Sequence, residues 1–142
     1  MRTWMCATHP ALSIISMQAI VMGADVALVR LLVSRLKSIE GVEVVGVAND
    51  GRHGIKLARE LDPDIVVTQF NMPDMTGPSL TRSIKADGAG PIVVVVSVKD
   101  VPEYQTLAHR AGADGCLSRA SLDELVLLVK RLLNGKLSPP GP

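Results

Sequence analysis

Six polar residues stand where a chain of this pattern can do chemistry: Asp25, Gln69, Asn71, Asp74, Ser97 and Arg119. Gln69 raises the sharpest question. In "PDIVVTQFNMPDMTG", residues 63 to 77, it closes a run begun by Ile65, Val66 and Val67, just ahead of a turn built on Met72-Pro73 and Gly77. Its neutral amide offers a weakly nucleophilic carbonyl oxygen and an NH₂ group, with no charge to hold a metal. Other chemistries find no support. His9, His53 and His109 lie far apart, without an acidic or hydroxyl partner at motif spacing, which argues against a catalytic histidine. "VMGADVA" and "DGAGP" match neither G-x-G-x-x-G nor the Walker pattern, so nucleotide-driven chemistry is disfavoured. Cys6 and Cys116 show neither metal-ligand spacing nor a disulfide framework, which fits a reducing compartment and makes Cys116 a small core residue.

The elements that would position these residues follow from composition and pattern. At 142 residues the chain fits one domain able to bury a core. A net charge of +1 with 20 % charged residues gives no field to attract nucleic acid or an acidic polymer. Hydrophobic residues reach 47 % and aromatics only 2 %, so the core is aliphatic: Val-rich strands under Leu-rich helices. No run approaches the roughly 20 apolar residues of a membrane span, and a cytoplasmic location is expected. Residues 1 to 16, "MRTWMCATHPALSIIS", faintly imitate a signal peptide, but Ser13, Ser16 and Gln18 interrupt the apolar stretch. A loose N-terminal extension, or an upstream start codon ahead of Met17, is the expectation. Residues 136 to 142 read as a disordered tail, leaving 17 to 135 as the domain.

Strand and helix patterns then alternate. Strands are expected over 17–23, 42–48, 64–70, 91–97 and 114–118. "PIVVVVS" is apolar throughout, as a central parallel strand covered on both faces is. Helices follow each strand: one over 25–41 with Val26, Val29, Leu32, Val33 and Leu36 at helical spacing, then 51–62, 78–86 and 101–111. The last is expected to start at Ser121 with a capping box Ser121-x-x-Glu124 and to run to Leu133. Strict alternation implies an α/β fold, a doubly wound five-stranded parallel sheet in the flavodoxin-like order 2-1-3-4-5. Ligands of such sheets sit beyond the carboxyl ends of the strands. Here those ends are Gly23-Ala24-Asp25, Gln69 and Ser97, with Arg119 just after the fifth strand.

From Met17 to Gly135 the sequence resembles a receiver domain of bacterial two-component response regulators, the CheY-like family. The resemblance is carried by "ALVRLLVSRL", "GVEVVGVANDG", "LDPDIVVTQFNMPDMTG", "VVVVSVKD" and "AGADGCLSRA", in their expected order. It implies a domain that accepts a phosphoryl group from a histidine kinase onto an aspartate at the tip of the third strand. That position is Gln69. Phosphoryl transfer requires an anionic oxygen in line with phosphorus and a divalent cation to neutralise charge, so Gln69 is not expected to form an acyl phosphate. Receivers carry two adjacent acids after the first strand, where this chain has Ala24 and Asp25. With Asn71 left to offer a backbone carbonyl, Mg²⁺ binding is expected to be lost or weak. Ser97 matches the hydroxyl that contacts the phosphoryl group. Arg119 replaces a lysine, a swap that keeps charge but not geometry, and Cys116 replaces the aromatic that usually swings inward.

Plainer roles compete with these. Asp25 serves as an N-cap of the first helix, Arg119 pairs with Asp25 across the vacated pocket, Ser97 satisfies a backbone group, and Asn71 to Gly77 is a turn before it is a site. The reading is an atypical receiver acting by protein-protein contact, not an enzyme, with a histidine kinase or a separate output protein as partner. No output domain is read after residue 135. The family's partner face, helix four, strand five and helix five, corresponds here to Tyr104, Gln105, His109, Arg110, Ser118, Arg119, Leu122 and Asp123, and homodimerisation through it is expected. Two alternatives stand beside this: phosphorylation of a non-standard acid, Asp74 or Asp25, and a small-molecule-binding regulatory domain on the same fold.

Overall fold

A computed structural model describes residues 16–86, 88 and 90–137. The extension read over 1–16 lies outside the described residues except for Ser16. The tail read over 136–142 does so too, apart from its first two residues, which continue the last helix to Leu137.

Five parallel strands form one sheet in the order β2-β1-β3-β4-β5. They are β1 (Met17–Met22), β2 (Val42–Ala48), β3 (Ile65–Gln69), β4 (Ile92–Ser97) and β5 (Gly115–Ser118). The helices are α1 (Val26–Lys37), α2 (Gly51–Leu61), α3 (Gly77–Lys85), α4 (Pro102–Arg110) and α5 (Leu125–Leu137). The doubly wound order read from the alternation is therefore the order of the fold. Side chains of a strand alternate between its faces, and two aliphatic layers result. Ala19, Val21, Ile65, Val67, Val94 and Val96 face Leu28, Leu32 and Leu36 of α1 and Leu125 and Val129 of α5. Ile20, Met22, Val66, Val93 and Val95 face the other layer with Leu80 of α3 and Ala108 of α4. β3 and β4 are buried along their whole length, which is why their sequences carry no polar face.

Two carboxylates, the buried Asp64 and the exposed Asp114, tie the amino-terminal side of the sheet. Asp64 Oδ2 accepts from Gln18 N at 2.9 Å. Asp114 Oδ2 accepts from Val93 N at 2.9 Å and from Lys85 Nζ at 2.6 Å. Among the described residues no helix is long and apolar enough to cross a membrane.

The last helix departs from its expected start. A 3-10 segment, Arg119–Glu124, comes first and α5 begins at Leu125. The reciprocal serine contact is made one turn earlier: Ser121 Oγ accepts from Ser118 N at 3.1 Å and lies 3.2 Å from Ser118 Oγ. Ser121 is spent closing the turn after β5, so it does not cap α5 together with Glu124. The chain also leaves β3 at Gln69, so Phe70 stands outside the strand.

Candidate functional site

The carboxyl ends of β1, β3, β4 and β5 meet at one edge of the sheet, and Gln69 is at their centre. It is 8 % exposed. Its Oε1 accepts from Ala24 N at 2.9 Å and from Asp25 N at 3.1 Å. The amide thus satisfies the backbone of the β1–α1 turn, groups that would otherwise lack an acceptor as the chain enters α1. Gly23 fits beneath it: a Cβ there would lie 2.9 Å from that same oxygen. On the other side Gly77 passes so close to β3 that a Cβ would meet Gln69 O at 2.9 Å and Phe70 Cα at 3.2 Å, backbone that cannot yield.

Asp25 caps α1, its Oδ1 accepting from Leu28 N at 3.1 Å. Its Oδ2 lies 3.7 Å from Arg119 Nη1, with the two side chains 36 % and 41 % exposed. The pairing is present and is of the solvated kind that contributes little to stability. Ser97, buried at the end of β4, donates its hydroxyl to Lys99 O at 2.5 Å and so serves the backbone of the β4–α4 loop. Ala24 and Asn71 are exposed.

Asp74 belongs to a different junction. Its Oδ1 accepts from Gly51 N at 2.8 Å and its Oδ2 from Arg52 N at 2.9 Å, while Asp50 Oδ1 accepts from His53 N at 2.8 Å. Two carboxylates from separate loops therefore cap the first turn of α2, where the helix dipole favours negative charge. The N–H groups of Gly51 and then Arg52 hold the Asp74 carboxyl below the ordinary carboxylate value. The Thr76 hydroxyl caps α3 by accepting from Ser79 N at 3.2 Å.

Mg²⁺ favours six oxygen ligands, usually with carboxylates among them. The strand ends offer one carboxylate, already engaged by an N–H and a guanidinium, and an amide oxygen already accepting two hydrogen bonds. This donor set does not fit the cation, and no three His, Cys, Asp or Glu converge among the described residues.

The residues read as a partner face divide. His109, Arg110 and Arg119 are exposed. Leu122 is not available to a partner: the 3-10 segment turns it into the core between sheet and α1, where it is 5 % exposed. Tyr104 is half-buried, its ring stacked on Phe70 with centroids 4.0 Å apart and planes 16° apart. Cys116 is also half-buried, packed in the same layer, and burial pushes its thiol pKa up. Sequence reasoning missed the Phe70–Tyr104 stack and the Asp74 cap of α2, since both join residues more than twenty positions apart and neither has a local signature, and it missed the Asp50 cap although that one is local, three residues before His53.

The chain matches the response regulator receiver domain family over residues 20–130. It is 38 % identical over 114 residues to the response regulator GacA of Pseudomonas aeruginosa, covering 79 % of this chain and 53 % of that protein. It is 38 % identical over 76 residues to the nitrate/nitrite response regulator protein NarL of Escherichia coli K12, covering 54 % of this chain and 35 % of that one. The chain spans about half the length, or less, of these relatives. Among solved structures, a two-component response regulator of the LuxR family from Aurantimonas sp. SI85-9A1 superposes with a TM-score of 0.78 at 23 % identity, covering 84 % of this chain and 86 % of that one. The response regulator domain of Thermotoga maritima CheB gives 0.73 at 21 % identity, covering 88 % and 99 %. These two likenesses speak to the fold. With a family match across most of its length, and the strand order, the strand-three turn and the strand-five approach of that family in place, this chain belongs to the response regulator receiver domains.

Proposed function

We propose that this receiver domain signals from the cytoplasm by protein-protein contact, without conventional phosphorylation at the tip of β3. The observation that carries the reading is the state of Gln69: a neutral amide whose oxygen holds two backbone N–H groups of the β1–α1 turn. An acyl phosphate needs a carboxylate oxygen free to attack phosphorus, and neither the residue type nor its engagement supplies one. Arg119 and Asp25 make their contact with each other, so the strand ends are closed by interactions internal to the chain. Such a domain holds one arrangement irrespective of phosphoryl donors.

Its partner is a signalling protein, a histidine kinase or a separate output protein, and the α4–β5–α5 side is the surface offered. His109, Arg110 and Arg119 are exposed there beside the aliphatic Leu107 and Val98, which are 43 % and 50 % exposed. Homodimerisation through the same side is part of the proposal, and sedimentation at high concentration tests it: monomer alone would count against it. Phosphorylation of Asp74 finds little support, because both of its oxygens are bound to the start of α2.

Intact-mass measurement after incubation with acetyl phosphate and Mg²⁺ tests the central statement. The expected result is an unchanged mass. Gain of one phosphoryl group would overturn it, and mapping the adduct to Asp25 or Asp74 would establish the non-standard acid instead.

A further inference from the structure

The turn after β3 grips the start of α2 with two consecutive side chains. Asp74 accepts from Gly51 N and Arg52 N, and Met75, the next residue, lays its thioether along the same glycine. A Cβ on Gly51 would overlap Met75 Cγ and lie only 2.5 Å from its Sδ, so sulfur and helix backbone touch with no free volume between them. Gly54, on the same face of α2, meets Met22 in the same manner, a Cβ there lying 3.0 Å from Met22 Cγ. The first turn of α2 thus rests on two methionines. They differ in access. Met22 is 0 % exposed, and Met17 and Met72 are 7 % and 9 % exposed, whereas Met75 is half-buried. Among the described methionines, Met75 is the one that a small oxidant in solvent reaches.

We propose that Met75 is a peroxide-modification site whose oxidation releases the start of α2. The sulfur lone pair attacks one oxygen of hydrogen peroxide and the O–O bond breaks. The departing hydroxide takes the proton from the new S–O group and leaves as water. Sulfur is oxidised by two electrons and the peroxide is reduced by two. A flexible apolar thioether becomes a polar, chiral sulfoxide. Against Gly51 that group has lost its reason to stay in the apolar layer, and it turns toward water. Asp74 precedes it in the chain, so the carboxylate is drawn off the Gly51 and Arg52 N–H groups, which have no other acceptor ahead of the helix. Asp50 holds His53 N from a different loop and keeps its contact. The change is therefore confined to the first two amides of α2. A thiol reductase reverses the step: two thiols give up two electrons to form a disulfide, and the sulfoxide oxygen leaves as water. The inference stands apart from the reading of Gln69 and from the α4–β5–α5 side.

The test treats the ¹⁵N-labelled full chain with hydrogen peroxide and follows it by peptide mass mapping and amide hydrogen exchange. Met75 should gain one oxygen atom about tenfold faster, or more, than Met17, Met22 or Met72. Exchange at Gly51 and Arg52 should then rise about tenfold, with His53 and the β3 amides unchanged, and methionine sulfoxide reductase with a dithiol should restore it. Two variants separate this site from Met1 and Met5, which also meet the oxidant. Met75→Leu, similar in volume and inert to peroxide, should show no rise in exchange on treatment. Met75→Gln, polar at a similar length, should show fast exchange at Gly51 and Arg52 without peroxide. Oxidation of Met22 or Met72 as fast as Met75 would overturn the proposal. So would unchanged exchange at Gly51 and Arg52 once Met75 is oxidised, or the same rise in Met75→Leu.

Discussion

Gln69 and Asp74 illustrate how a side chain's partners, more than its type, set its effect. Gln69 keeps two backbone donors of the β1–α1 turn satisfied, so Gln69→Leu, similar in size but without an acceptor, strands both. A loss of about 1–3 kcal/mol is expected, read as a lower urea midpoint at unchanged slope. Asp74 acts through its charge. Its folded pKa lies below the ordinary value because Gly51 and Arg52 donate to the carboxylate. A group of this kind adds stability that is full above the unfolded value of about 3.9 and is lost as pH falls through the lower folded value. Asp74→Asn cannot titrate, so its stability should fall less steeply than that of the parent below about pH 4, while the two curves run parallel above pH 6. Chemical denaturation across that range measures the difference.

Where α1, α2 and α3 begin with side-chain caps, α4 does not: its N-cap, Val101, makes no side-chain cap hydrogen bond, and Ala108 is its one buried residue. What holds it to the sheet on the site side is the Tyr104 ring on Phe70, the residue directly after Gln69. The stack therefore links the tip of β3 to the helix that borders the proposed partner side. A double-mutant cycle with Phe70→Leu and Tyr104→Leu should return a coupling of about 0.5–1.5 kcal/mol beyond the separate losses. Strict additivity would mean that α4 is positioned by other contacts. The contrast with α2 is physical: α2 has Asp50 and Asp74 on its first turn and Met75 packed against Gly51, so its start is fixed from two loops.

Across the whole molecule, protection should follow burial. β3 and β4 are buried at every position and paired on both sides, so their amides should exchange only through global unfolding. Amides of α4 should exchange orders of magnitude faster, and equal protection in native-state hydrogen exchange would contradict the weak anchoring of that helix. The architecture was legible in the sequence because it rests on periodicity. Val-rich runs such as "IVVVV" specify buried parallel strands, and the helical spacing read on α1 found its buried Val29, Leu32 and Leu36, although it took in Val26, which is 65 % exposed, and passed over the fully buried Leu28. That Gln69 and Ala24 carry no carboxylate was equally legible, since it is a matter of residue type. Partnership was legible only in part: the Asp25 cap and its pairing with Arg119 were read from the sequence. Whether Ser97 serves its own loop, which way Leu122 turns after β5, and that Asp74 reaches Gly51 depend on how separate strand ends and loops come together. Side-chain periodicity is a local property of the chain, whereas hydrogen-bond partners and burial at loop positions are set by contacts between residues distant in sequence, and these exist only once the sheet has assembled.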